Sequence, residues 1–204
     1  GHNFGPDSTE FRAAVRLMDS HVAALRTRLE DAGIDANYVI VSDHGMTPVA
    51  PERILILDDY LDLATVQIED AGSIVCLRPI GGDLAEVARV LAKMPHVKIY
   101  RAENLPAHLH LSDNARIAPL WILPDEGWRV ETRAVSQRPR RTGPLRGDHG
   151  YDPALVSMHG IFIAQGPAFK SGVVTEDVEN VHIYNLLCAA LGLRPSPNDG
   201  DNRL

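Results

Sequence analysis

Apolar residues at Phe11, Val15, Met18, Val22, Leu25 and Leu29 are spaced four, three, four, three and four apart, and no other feature constrains the fold as much. Such steps return to one side of a 3.6-residue helix, so the segment forms an amphipathic helix with one face to bury. Asp7, Ser8 and Glu10 give it a start, because a side-chain oxygen ahead of a helix accepts from its free amides and Glu10 can reach back. Gly33 gives it a stop. Tyr38–Val41 follows as a short apolar, β-branched run, read as a buried parallel strand. Asp43 and His44 then stand at that strand's carboxyl end, the edge where open α/β sheets build their sites.

Downstream, Ser73–Leu77 reads as a strand, and Asp83–Met94 as a helix with Leu84, Val87, Leu91 and Met94 on one face. Val97–Tyr100 reads as a further strand. Residues 101–147 are rich in Pro, Arg, His and Trp, with one strand at Leu120–Leu123, and read as an insertion beside the main sheet. Gly160–Ala164 returns to the buried-strand pattern. Val178–Leu191 reads as a closing helix stopped by Gly192, and the polar tail from Pro195 as loose. There is no internal repeat and no low-complexity tract.

The net charge of −7 and pI of about 5.7 argue against nucleic acid held on a general basic surface. The densest basic stretch, Arg138-Pro139-Arg140-Arg141 with Arg146, is short and Pro-broken, and reads as a solvated loop, with binding of an anionic substrate as the alternative. No run of 18 apolar residues exists, so no membrane span is expected. Cys76 and Cys188 sit in apolar runs, too far apart for a CxxC site and too few for a disulfide framework, and read as buried free thiols. Oligomeric state is not written in any of these features.

The nine histidines carry more. Several stand beside Asp or Gly: Gly1-His2, Asp43-His44-Gly45, Asp148-His149-Gly150 and Met158-His159-Gly160. Imidazole nitrogens and carboxylate oxygens are zinc ligands, and a metal needs them delivered from fixed positions. In a continuing strand Asp43 and His44 would point to opposite faces, so both meet one ion only if the chain turns, which Gly45 permits. His149 lies in a loop eleven positions before Gly160 and also reaches a sheet edge. The plain alternative is that Asp-His-Gly is a turn, or that the Asp is an outer partner of the His. His21 sits on the polar side of its helix, and His108 and His110 alternate as in a strand. Spacing alone leaves metal site and turn both open.

GHNFGP at 1–6, VIVSDHGM at 39–46, GDHGYDP at 147–153 and SMHGIFIAQGPAF at 157–169 together resemble the nucleotide pyrophosphatase/phosphodiesterase family of the alkaline phosphatase superfamily. NLPAHLHLSDNARIAPLWILPDEGW at 104–128 resembles that family's linking segment. The resemblance implies the C-terminal part of one alkaline phosphatase-like domain over 1–204: α/β, a doubly wound, mostly parallel sheet with a small α+β insertion at about 81–147. It implies two zinc ions at the sheet edge, with Asp43 and His44 on one and His2 and His149 on the other. Mn²⁺ or Fe²⁺ would accept the same ligands. It further implies an extracytoplasmic enzyme acting on a small phosphodiester such as a nucleotide, through a covalent intermediate on a Thr or Ser. That nucleophile segment is not in this sequence, nor is the Asp expected just before His2, so no catalytic residue is assigned here. Thr47 does not match the family's nucleophile position, and Ser8 and Thr9 are helix-start residues. Other readings are a monoesterase, a phosphonate hydrolase or a choline-phosphodiester hydrolase of the same superfamily, or an inactive binding module.

Overall fold

The computed structural model describes residues 1–111, 114–139 and 143–202. In chain order it holds helix α1 (Thr9–Asp31), β1 (Tyr38–Val41), β2 (Thr47–Pro48), β3 (Ile54–Ile56), β4 (Val66–Asp70), β5 (Val75–Pro79) and α2 (Leu84–Leu91). Next come β6 (Val97–Arg101), β7 (Leu120–Pro124), β8 (Arg129–Glu131), α3 (Arg133–Ser136), β9 (Gly147–Asp148), β10 (Phe162–Gln165) and α4 (Ile183–Ala190). The chain divides into two compact units, one of residues 1–17 and 44–159, the other of 18–43 and 160–204.

The first unit is built on a four-stranded sheet of order β4-β5-β7-β6. Residues 71–74 join β4 to β5, a connection too short for anything but an antiparallel pair. β5 and β6 are both antiparallel to β7, so α2 links two strands of like direction with a third between them, a split βαβ arrangement. Strand alternation sorts the side chains. Val75 and Leu77 of β5 and Leu120 and Ile122 of β7 join Val87 and Leu91 of α2 in the main core. Cys76 and Trp121, paired across the strands, belong to the smaller cluster with Ala118, whose carbonyl accepts from the Trp121 indole at 2.7 Å. Asp83 caps α2, its carboxylate accepting from the Ala85 amide at 2.8 Å. The sheet includes β4 and β5, which precede the expected insertion at about 81–147, and β8 and α3 add elements the sequence reading did not place.

Cys76 and Cys188 are both buried free thiols, as expected. Burial, with Asp70 and Glu69 nearby, pushes the Cys76 thiol up to about 12. At pH 8 roughly one thiol in 10⁴ is then the reactive thiolate. Alkylation at Cys76 of the folded chain is therefore expected to be slower by orders of magnitude than in denaturant, measured by peptide mass spectrometry; equal rates would contradict the buried site.

In the second unit β1 pairs with β10 from Tyr38↔Gln165 to Val41↔Phe162. That pairing is antiparallel, and Val41 and Ile163 are about half exposed. The buried parallel strand expected at Tyr38–Val41 is thus corrected, as is the buried strand at Gly160–Ala164. An apolar β-branched run specifies extended backbone, but the direction of its partner lies elsewhere in the sequence. The same holds for the mostly parallel sheet: among the described residues β3–β8 is the one parallel pair, and the rest are antiparallel.

Helix ends follow the sequence closely. The Ser8 hydroxyl accepts from the Phe11 amide at 3.1 Å. Gly33, at φ +70°, lets its own amide reach Glu30 and that of Ile34 reach Leu29, closing the last turn. Gly192 does the same after α4, with bonds to Ala189 and from Leu193 to Cys188. Glu10 does not reach back; its carboxylate accepts from Thr9 instead. No residue of α1 is buried, and Val15, Met18 and Leu25 are each more than half exposed.

Two other expectations are corrected. The tail from Pro195 is tied down: the Ser196 amide donates to the Tyr184 hydroxyl, Asn198 to Asn185, and the Asp201 amide to His182 Nδ1 at 3.0 Å. Polar side chains in a terminal segment signal solvent only when no buried polar group waits for them, and His182 and Asn185 are such groups. His108 and His110 do not alternate in a strand; Ala107–Leu109 is a 3₁₀ turn after Pro106, and His110 takes φ +52°. Arg140 and Arg141 of the basic stretch lie outside the described residues.

Candidate metal centre

The site is assembled in the first unit by a ladder of two residue pairs. β2 and β9 pair antiparallel, Thr47↔Asp148 and Pro48↔Gly147. The residues before β2 and after β9 therefore leave from the same end of the ladder, which brings His44 and His149 together across more than a hundred positions. Their rings stack with centroids 3.6 Å apart and 19° between planes. His2 joins through its backbone: its carbonyl accepts from the Arg146 amide at 2.8 Å and the Gly147 amide at 3.2 Å. Its ring lies 5.1 Å from that of His149.

Space, more than backbone freedom, makes Gly45 necessary beside His44. Its amide donates to the Met158 carbonyl at 2.9 Å. A Cβ there would run into the Ser157 carbonyl oxygen and come within 2.7 Å of that of His159, while Gly45 is not among the glycines of positive φ. The loop bearing His149 is fixed on two sides. The Ser73 hydroxyl donates to the His149 carbonyl, and the His108 ring contacts Asp152 at 2.8 Å. Burial works against ionisation of Asp152, yet the Ala154 amide and the His108 ring hold its carboxyl below the usual range.

The ring nitrogens of His2 and His44 show how each ring is held. His2 Nδ1 lies 2.9 Å from the Gly147 carbonyl, and His44 Nδ1 lies 2.6 Å from that of Gly45. A carbonyl only accepts, so Nδ1 is the donor in each of these contacts. This is the arrangement in which histidine binds a metal, the second nitrogen held by a backbone carbonyl. The donor set therefore fits a divalent cation. His2, Asp148 and His149 each offer a ligand-type atom within 4.8 Å of the others.

Of the four residues singled out in the sequence, the first unit brings His2, His44 and His149 together. Asp43 is exposed and belongs to the second unit, so its place as a ligand rests on the resemblance alone. Asp148 was visible only as the neighbour of His149, and Arg129 carried no signal in the sequence. Thr47 is buried in β2. His21 is exposed on α1, as read.

Three imidazoles, two of them held at Nδ1 by backbone carbonyls, form a candidate metal site on an α/β scaffold. The profile of the type I phosphodiesterase / nucleotide pyrophosphatase family matches residues 1–152, and the chain belongs to that family. It is 34% identical over 203 residues to bis(5'-adenosyl)-triphosphatase ENPP4 from Bos taurus, covering 98% of this chain and 43% of that protein. It is likewise 34% identical over 203 residues to ectonucleotide pyrophosphatase/phosphodiesterase family member 5 from Homo sapiens, covering 98% and 41%. The human family member 5 structure superposes with a TM-score of 0.90 at 34% identity, over 98% of this chain and 53% of that one. A murine structure, an inactive threonine-to-alanine variant in complex with AMP, gives 0.88 at 33% identity with the same coverage. The chain thus spans about half the length of the relatives it matches. Their likeness supports an alkaline phosphatase-like α/β fold, within which the antiparallel pairings above are this chain's share. Among the described residues no helix is long and apolar enough to cross a membrane.

Proposed function

We propose that the protein to which this chain contributes is a metal-dependent hydrolase of phosphodiester or pyrophosphate bonds. In this reading His2 and His149 serve one zinc ion, and Asp43 and His44 the other. The observation that carries it is the meeting of three imidazoles, with Nδ1 of His2 and of His44 each on a backbone carbonyl. Bound zinc supplies Lewis acidity toward the phosphoryl oxygens and lowers the pKa of a hydroxyl. The part of this chain is to hold the imidazoles in place, two of them by Nδ1 on a backbone carbonyl, and to keep the ladder between β2 and β9 rigid, so that ligands need little reorganisation. The chain's overall negative charge does not oppose an anionic substrate, because two dications set the local field. The nucleophile would be a Thr or Ser outside residues 1–204, forming a covalent phosphoryl intermediate. The inactive threonine-to-alanine variant of the murine relative supports a threonine in that role.

The relatives' names, with the bound AMP, favour a nucleotide as substrate, and their "ecto" designation favours an extracytoplasmic location. The test is hydrolysis of a chromogenic phosphate diester against the matching monoester by the full-length, zinc-loaded protein. The diester is expected to be strongly preferred. Preference for the monoester would move the protein to the phosphatase branch. Hydrolysis of neither would bring forward the phosphonate hydrolase or the inactive binding module.

A further inference from the structure

We propose that Arg129 and Asp148 are a positioning pair that fixes His149 for metal binding; the inference rests on the metal-site reading above and adds two residues to it. Asp148 does not stand open as a ligand. Its Oδ1 accepts from the His149 amide at 3.0 Å, and its Oδ2 lies 2.8 Å from Arg129 Nε. A terminal nitrogen of the same guanidinium lies 2.9 Å from Glu131 Oε1. Both Arg129 contacts are charge contacts off the line of a hydrogen bond. They are well shielded from water, with the Arg129 side chain 11% and that of Glu131 3% exposed. Screening by solvent and salt is weak in such a place, so the guanidinium restrains the carboxylate more firmly than a surface pair would.

The base of this chain of contacts is rigid. In β8 the side chains alternate, so Arg129 and Glu131 leave one side while Val130 is fully buried on the other. The strand is pinned by its pairing with β3 and by the Val130 amide on the Gly72 carbonyl at 2.8 Å. From that base the order runs Arg129, Asp148, His149. The carboxylate also lies 3.9 Å from His2 Nδ1, so it supports the two rings assigned to one ion. Asp148 acts through the main-chain amide of His149 and so fixes the loop that carries the ring; loss of such outer partners of metal-binding histidines typically weakens metal binding about 10–100-fold.

The test uses the full-length protein and zinc alone as probe. Zinc affinity is measured by competition with a chromophoric chelator, and the Co²⁺-substituted protein gives a visible spectrum that reports ligand geometry. The variants are Arg129→Met, Arg129→Lys, Asp148→Asn and His149→Ala. Arg129→Met and Asp148→Asn are each expected to weaken zinc about 10–100-fold and to shift the cobalt bands. Arg129→Lys is expected to recover part of the affinity, since it restores the charge without the planar fork. A purely structural pair would lower thermal stability without moving either metal readout. If Arg129→Met fails to fold, Arg129→Lys and Asp148→Asn decide the same question. Affinity within twofold of wild type in the Arg129 variants, alongside a large loss in His149→Ala, would overturn the positioning role and leave the metal site standing. Loss of a whole ion in Asp148→Asn with no effect of Arg129 would overturn it too, making Asp148 a direct ligand. A wild type whose zinc binding is indifferent to His149→Ala would overturn the metal-site reading itself.

Discussion

His149→Ala in the full-length protein is expected to remove a metal ion and to lower hydrolysis by more than about 10²-fold, the scale on which losing one group that acts on developing charge is felt. The reason is geometric. His149 is the ring common to both close contacts in the cluster, 3.6 Å from His44 and 5.1 Å from His2 by centroid. Removing it separates the others and opens the stack to water. Asp43→Asn is expected to act the same way through the second ion, since an amide oxygen is a weaker, neutral ligand than a carboxylate. Metal content by elemental analysis checks both. If the two variants retained full metal content, the ligand assignments would be wrong, whatever happened to the rate.

A methyl group at Gly45 should be nearly as damaging, though it touches no substrate. The Cβ of Gly45→Ala would press on two backbone carbonyl oxygens, those of Ser157 and His159, which cannot swing aside as a flexible side chain could. Overpacking of this kind costs about 1–3 kcal/mol. The melting temperature should then fall by roughly 2–4 °C for each of those kcal/mol in a domain of this size. Because Gly45 also supplies the carbonyl that holds His44 Nδ1, zinc affinity should fall with it. Calorimetry and chelator competition on one sample test the two effects together. An unchanged melting temperature would mean that the loop after His44 yields more easily than its packing indicates.

Sequence alone reached furthest where the determining interactions are local. The four-three spacing, Ser8 and Gly33 gave α1 to within a residue or two, and Asp83 marked the start of α2. Gly192 marked the end of α4 for the same reason, a left-handed residue closing the last turn. The candidate ligands were legible because Asp-His-Gly recurs and because four motifs stand in a family's order. Strand direction was not legible. Tyr38–Val41 is apolar and β-branched whichever way its partner runs, and the partner is β10, more than a hundred residues away. The tail from Pro195 misled for a related reason. Its polar residues pair with His182 and Asn185, whose burial is decided by the packing around α4.

By itself, then, the sequence determined both ends of α1, the start of α2, the end of α4, five of the ten described strands as extended segments, and which residue types a metal would call for. Each of these depends on contacts within about four positions along the chain, or on side-chain chemistry. Only the tertiary structure decided that β2 and β9 pair antiparallel, which sends His44 and His149 out of the same end and sets His2 beside them. It alone decided that Arg129 stands behind Asp148, nineteen positions away in sequence. Those are contacts between distant segments, fixed by which apolar faces bury together, and no local pattern carries that information.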